Sequence, residues 1–187
     1  MVDIEATLDA ELARGFFPGC VLAWGRKGGG GKVCCRGTAE REPVPRPTRD
    51  DSIFDLASLT KVVATATALG QILERGQLAL GSKVVEFFPG YADVISEELQ
   101  LRHLVTHSSG FDNTKPDAAL SGEAALEDWL RIPVVAAPGA RFEYACKNAV
   151  MVSLMIEAVT GVPFGDYCRE SIFTPLGMND TRFGPIP

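Results

Sequence analysis

The sequence predicts an α+β fold: a mostly helical part, preceded by an N-terminal helix and a β-hairpin belonging to an incomplete antiparallel sheet. Three observations lead there. Apolar residues recur at helical spacing in several stretches from Leu59 onward. Cys20 to Trp24 and Lys32 to Cys35 are short apolar runs around Gly25-Arg26-Lys27 and the glycines Gly28 to Gly31, the pattern of a hairpin. The inventory is lopsided, about six helices to one hairpin, and a lone hairpin is marginal in water with its edges unpaired.

Each element has a local reason. Ile4, Leu8 and Leu12 form one stripe with Gly15 near its end, so residues 3 to 15 read as an amphipathic helix. Phe16-Phe17-Pro18-Gly19 is a break. The glycines of the hairpin are a turn and not a phosphate cradle. A Walker A needs Gly five residues before its Gly-Lys pair and Ser or Thr after the Lys. Arg26 and Val33 hold those places, and no G-x-G-x-x-G fits, so no cofactor is expected.

Residues 40 to 51 are proline-rich and charged, an extended exposed crossover. Next, Leu59, Val62, Val63, Ala66, Leu69, Ile72 and Leu73 follow the helical period. Only small residues fill the gaps, which predicts a helix packed on nearly every side. Val84 to Phe88 lead into Pro89-Gly90, and a short helix near Leu101 to His107 ends at Ser109-Gly110. Residues 122 to 131 form another, with Trp129 as its expected core anchor. Asn148 to Thr160 is apolar on most sides and Gly161 caps it. Asp166 to Phe173 forms a last short helix before a turn-rich ending.

The totals set the class. A length of 187 residues suits one domain with a real core, and 46% hydrophobic with 22% charged residues is a globular composition. We read a single domain, residues 1–52 forming the helix-and-hairpin part and 53–187 the helical part. The formal charge of -6, with basic residues scattered, argues against nucleic acid as a partner. Nothing approaches the roughly 18 consecutive apolar residues of a membrane span, and Met1 to Arg14 has no apolar core of a secretory signal. Five cysteines, with Cys34 and Cys35 adjacent and no C-x-x-C spacing, read as reduced thiols in a cytoplasmic protein.

The chemistry gathers at Ser58 and Lys61. Their spacing puts a hydroxyl and an amine on one face of a helix, a candidate nucleophile with its base. An amine at the head of a buried helix is costly to leave charged. To act as a base, Lys61 must lose about a thousandfold in proton affinity, about 4 kcal/mol. His103 and His107 lie four apart, but the Glu of an H-E-x-x-H site is missing and no third ligand is evident, so no metal site is expected.

Four stretches then resemble the serine hydrolases of the β-lactamase and penicillin-binding superfamily, nearest the class C β-lactamase, D-aminopeptidase and carboxylesterase branch. Phe54-Asp55-Leu56-Ala57-Ser58-Leu59-Thr60-Lys61 looks like the nucleophile helix. Leu101 to Gly110, with His103, His107, Ser108 and Ser109, looks like the helix-and-turn of the helical domain. Pro138-Gly139 through Phe142 and Tyr144 to Glu157 and Thr160-Gly161 is similar to the tyrosine-bearing motif. Pro175-Leu176-Gly177-Met178 with Asp180-Thr181 matches the closing segment.

The resemblance implies an acyl-enzyme on Ser58, formed from a small ester or amide with Lys61 or Tyr144 as base, and it makes both histidines structural. Two departures qualify it. The tyrosine motif usually reads Tyr-x-Asn, and here it is Tyr144-Ala145-Cys146. A thiol donates and accepts hydrogen bonds poorly, so Cys146 as a substrate-binding residue favours esterase-like substrates over penicillins. The family's third element, a Lys- or His-led motif ending in Gly, is not found after Tyr144. The expectation is therefore a truncated domain, a weak or dead catalyst alone, or an inactive scaffold used for binding.

Overall fold

A computed structural model describes residues 3–184. Contacts part the chain between Asp55 and Leu56 into two units. In the first, helix α1 (Ile4–Ala13) opens on Asp3, whose carboxylate accepts the Ala6 N–H at 3.1 Å. Strands β1 (Gly19–Gly25) and β2 (Gly31–Glu40) pair antiparallel with Leu22 opposite Cys34. Both outrun their apolar runs, because main-chain pairing continues through residues whose side chains do not announce it. Arg36 on β2 bonds Glu5 at 2.9 Å and Asp9 at 2.6 Å, carboxylates one helical turn apart on α1. Gly37 has φ 77°, and a Cβ there would meet the Pro18 carbonyl oxygen at 2.3 Å.

The exposed crossover does more than expected. Arg46–Pro47 forms β3 against β2, so the sheet has three strands in the order β1-β2-β3 rather than a hairpin's two. A proline suits this place, since an edge strand leaves alternate N–H groups unpaired.

The second unit holds the apolar core, centred on Ile72, Leu101, Leu104, Met151 and Met155. Two expectations about its first helix are corrected. The winding is not uniform: a 3₁₀ turn at Ala57–Leu59 gives way to π-helix at Lys61–Ala66 and then to α2 (Thr67–Glu74). Nor is it packed on nearly every side. Ala64, Ala68 and Ile72 are buried, but Leu59 and Val62 are 59% and 60% exposed. Small residues fit a close-packed face and an open one equally, so the sequence did not separate the two.

Helix α3 (Leu101–Val105) begins where the Gln100 N–H donates to His103 Nδ1 at 3.2 Å. In α4 (Gly122–Arg131) the buried anchor is Leu130 and not Trp129. Trp129 is partly exposed and its indole N–H donates to the Thr114 carbonyl at 2.9 Å, pinning a loop instead of filling the core. Helix α5 (Cys146–Thr160) starts at the thiol and ends on Gly161 at φ 68°. The Phe164 N–H at the head of α6 (Phe164–Cys168) donates to Glu157 at 2.6 Å, and a π-turn, Arg169–Phe173, follows. Among the described residues no single helix is long and apolar enough to cross a membrane.

Candidate active site

Ser58 sits in the 3₁₀ turn directly after Ala57, whose φ of 45° is left-handed. A residue with a Cβ pays about 1–2 kcal/mol for that conformation, and such strain gathers at functional sites. Lys61 Nζ donates to Ser58 Oγ at 3.1 Å. The Tyr144 phenol, 86 positions further on, shares a hydrogen bond of 2.9 Å with the same hydroxyl. Cys146 completes the group, its sulfur 3.5 Å from Lys61 Nζ and 3.8 Å from Tyr144 Oη. All four residues singled out in the sequence meet at one place.

Tyr144 is delivered there by an extended segment laid along the turn after α3. Backbone bonds run from Glu143 N to His107 O at 2.8 Å, from Gly139 N to Ser108 O at 2.7 Å, and from Val135 N to Gly110 O at 2.7 Å. The turn depends on two left-handed residues, His107 at φ 52° and Gly110 at φ 88°. A Cβ on Gly110 would lie 2.0 Å from the Ala136 carbonyl oxygen. Buried Asn148 ties the parts together: its oxygen accepts from the Ser109 hydroxyl at 2.7 Å, and its amide nitrogen lies 3.0 Å from His107 Nδ1. His103 Nδ1 accepts the Gln100 N–H at 3.2 Å, and the His107 ring lies against Tyr144 with its centroid 4.7 Å away.

At Lys61, burial lowers the proton affinity, but the neighbouring oxygen of Tyr144 and sulfur of Cys146 outweigh that, and the pKa is raised. The fall that a base at this position would require is opposed by those two neighbours, which favour the charged amine. Burial raises the Cys146 thiol, yet hydrogen bonding from Tyr144 and Lys115 and the charge of Lys61 bring it down overall. Burial and then the Lys61 charge lower His107.

Three further residues carry weight that the sequence did not disclose. Asn113 accepts the Cys146 N–H at 3.1 Å, and Lys115 donates to the same carboxamide oxygen at 3.4 Å. Lys147 is 2% exposed, donates to the carbonyls of Leu130 at 3.0 Å and Ile132 at 2.7 Å, and stands 4.0 Å from the Phe111 ring centroid. A lysine and an asparagine side by side at the head of an apolar helix were the available signal. An open hollow of about 250 Å³ begins at Lys61 and His107 and is otherwise walled mainly by apolar side chains such as Leu69, Leu73, Leu104 and Val152.

A family model described as Beta-lactamase matches residues 5–187. The chain belongs to the beta-lactamase family. Proteins of this family similar to it are serine hydrolases. An Escherichia coli K12 protein with the provisional name D-alanyl-D-alanine carboxypeptidase is 32% identical over 78% of the chain, which covers 36% of that relative. The D-amino acid amidase of Ochrobactrum anthropi SV3, solved with D-phenylalanine, is 28% identical with a TM-score of 0.84, over 98% of this chain and 52% of that one. A class C beta-lactamase at 20% identity and a TM-score of 0.78 shares the fold over 93% of this chain and 48% of its own. The beta-lactamase-family chain thus spans about a third to a half of the length of these relatives.

Proposed function

We propose that Ser58 is the nucleophile of an acyl-transfer reaction on small esters or amides, esterase-like rather than a true β-lactamase. One observation carries the reading: a single hydroxyl within 2.9 Å of a phenol and 3.1 Å of an amine. The Ser58 oxygen adds to the substrate carbonyl, its proton passes to Tyr144, and the leaving group departs with a proton returned through the same pair. With Lys61 held as an ammonium, Tyr144 is the better acceptor: it acts as the phenolate, stabilised by the neighbouring positive charge, and becomes a neutral phenol on taking the Ser58 proton. The backbone N–H of Ser58 supplies one donor to the developing oxyanion. Water then hydrolyses the acyl ester by the reverse proton path.

Cys146 supports the esterase preference, because a thiol replaces an amide that would grip an acylamino group. The raised Lys61 also favours a second reading, a scaffold that binds acyl compounds without turning them over.

Incubation with a fluorophosphonate, followed by intact mass, separates the two. An adduct absent from Ser58→Ala and slowed in Tyr144→Phe supports the nucleophile, and a folded protein without an adduct supports the scaffold. Phosphonylation is the readout because it asks only about Ser58 and the groups around its hydroxyl. A p-nitrophenyl ester beside a chromogenic cephalosporin then tests the preference, and faster acylation by the cephalosporin would overturn it.

A further inference from the structure

The Ser58 cluster contains a second nucleophile. Cys146 is partly exposed, and it is the first residue of a 15-residue helix, where the dipole favours a thiolate. Lys61 Nζ lies 3.5 Å from its sulfur on one side. On the other, Asn113 bridges the Cys146 N–H to Lys115 Nζ, at 3.1 and 3.4 Å. The thiol therefore feels two lysines, Lys61 and Lys115, neither of them in a carboxylate ion pair among the described residues. The other cysteines lack this setting: Cys34 and Cys168 are 4% and 0% exposed, and Cys20 and Cys35 lie on the paired strands.

We propose that Cys146 is a covalent-modification site for low-molecular-weight disulfides, anionic ones foremost, and that the mixed disulfide closes the cluster to acyl donors. The Cys146 sulfur, its proton released to solvent, attacks one sulfur of the disulfide. A new S–S bond forms, the old one breaks, and the departing thiolate leaves with the electron pair and takes up a proton from water. The attached group then stands between Lys61 and Tyr144, over Ser58. That consequence rests on the Ser58 reading; the modification itself does not.

The test is exposure to glutathione disulfide, an anion, and in parallel to cystamine, a dication, with peptide mapping over time. Cys146 is expected to react about tenfold faster than Cys20 or Cys35. Glutathione disulfide should outpace cystamine there, although the whole chain carries -6 and would favour the cation. Lys115→Gln should narrow that preference. The modified protein should lose fluorophosphonate labelling at Ser58 and regain it on reduction. Equal rates at Cys20 and Cys146, or cystamine the faster at Cys146, would overturn the site. Undiminished Ser58 labelling in the mixed disulfide would overturn the closure. Unmodified protein that never labels would sink the Ser58 reading alone, since the disulfide rates at Cys146 still decide the site.

Discussion

The ring of His107 lies 4.7 Å from the ring of Tyr144, and its Nδ1 accepts the Ala145 N–H at 3.3 Å. The Asn148 amide approaches the same nitrogen at 3.0 Å, so both contacts require a bare lone pair on Nδ1. Protonation would forfeit them. Burial first, and the Lys61 charge second, lower the His107 pKa below its usual value, so the unfolded chain takes up the proton first. The stability that His107 contributes is complete above about pH 6.5 and is lost as pH falls through its folded pKa. Urea midpoints should hold steady between pH 7 and 8 and drop on acidification. His107→Gln should remove part of the drop, while His103, lowered by burial and Arg102, leaves the remainder.

Tyr144→Phe keeps the ring against His107 and removes only the oxygen. Fluorophosphonate labelling of Ser58 should slow by about 10²–10⁴-fold, the usual worth of a positioned acid–base group. The urea midpoint should stay put. A parallel fall in both would mean that the phenol holds the fold rather than moves the proton.

Gly110→Ala should cost more than about 2 kcal/mol, since left-handed strain adds to a collision with backbone that cannot swing aside. The loss should also reach Ser58 labelling, because the turn that fails is the one that carries the Tyr144 segment. Chemical denaturation with labelling at matched folded fraction would read both effects.

Lys147 offers a test at alkaline pH. Burial pushes its pKa down to about 8 from 10.5, against the pull of Asp112. Between those values the unfolded chain still holds the proton that the folded chain has released, so the Lys147 contribution to stability rises with pH across that window. Comparison with Lys147→Met isolates it: wild type should gain on the variant from pH 8 to 10. A difference that is flat in pH would mean the amine stays charged on its two carbonyls.

The cluster was more legible than the scaffold around it. Ser58, Lys61 and Tyr144 could be read because each lies in a flanking pattern of residue types, and Cys146 because it falls inside the pattern around Tyr144. The third strand could not, since main-chain pairing at Arg46–Pro47 leaves no mark on side-chain choice. Nor could the 3₁₀ and π winding around Ser58, which keeps the helical apolar period nearly intact. Trp129 was placed in the core where its neighbour Leu130 belongs: one step along a helix turns a side chain by about 100°, and the larger ring drew the wrong choice. The charge of Lys61 was open for another reason. Burial lowers its proton affinity and Tyr144 and Cys146 raise it, and all three act only once the chain has folded.

The first turn of α5 sends three successive side chains to three separate destinations: Cys146 to the reactive cluster, Lys147 to the carbonyls closing α4, and Asn148 to the turn below Tyr144. The latter two rivet the backbone from opposite sides. Position 146 is thereby relieved of that anchoring, and a change of its side chain leaves the two anchors beside it in place. New reactivity can be tried there without dismantling the frame that aims it.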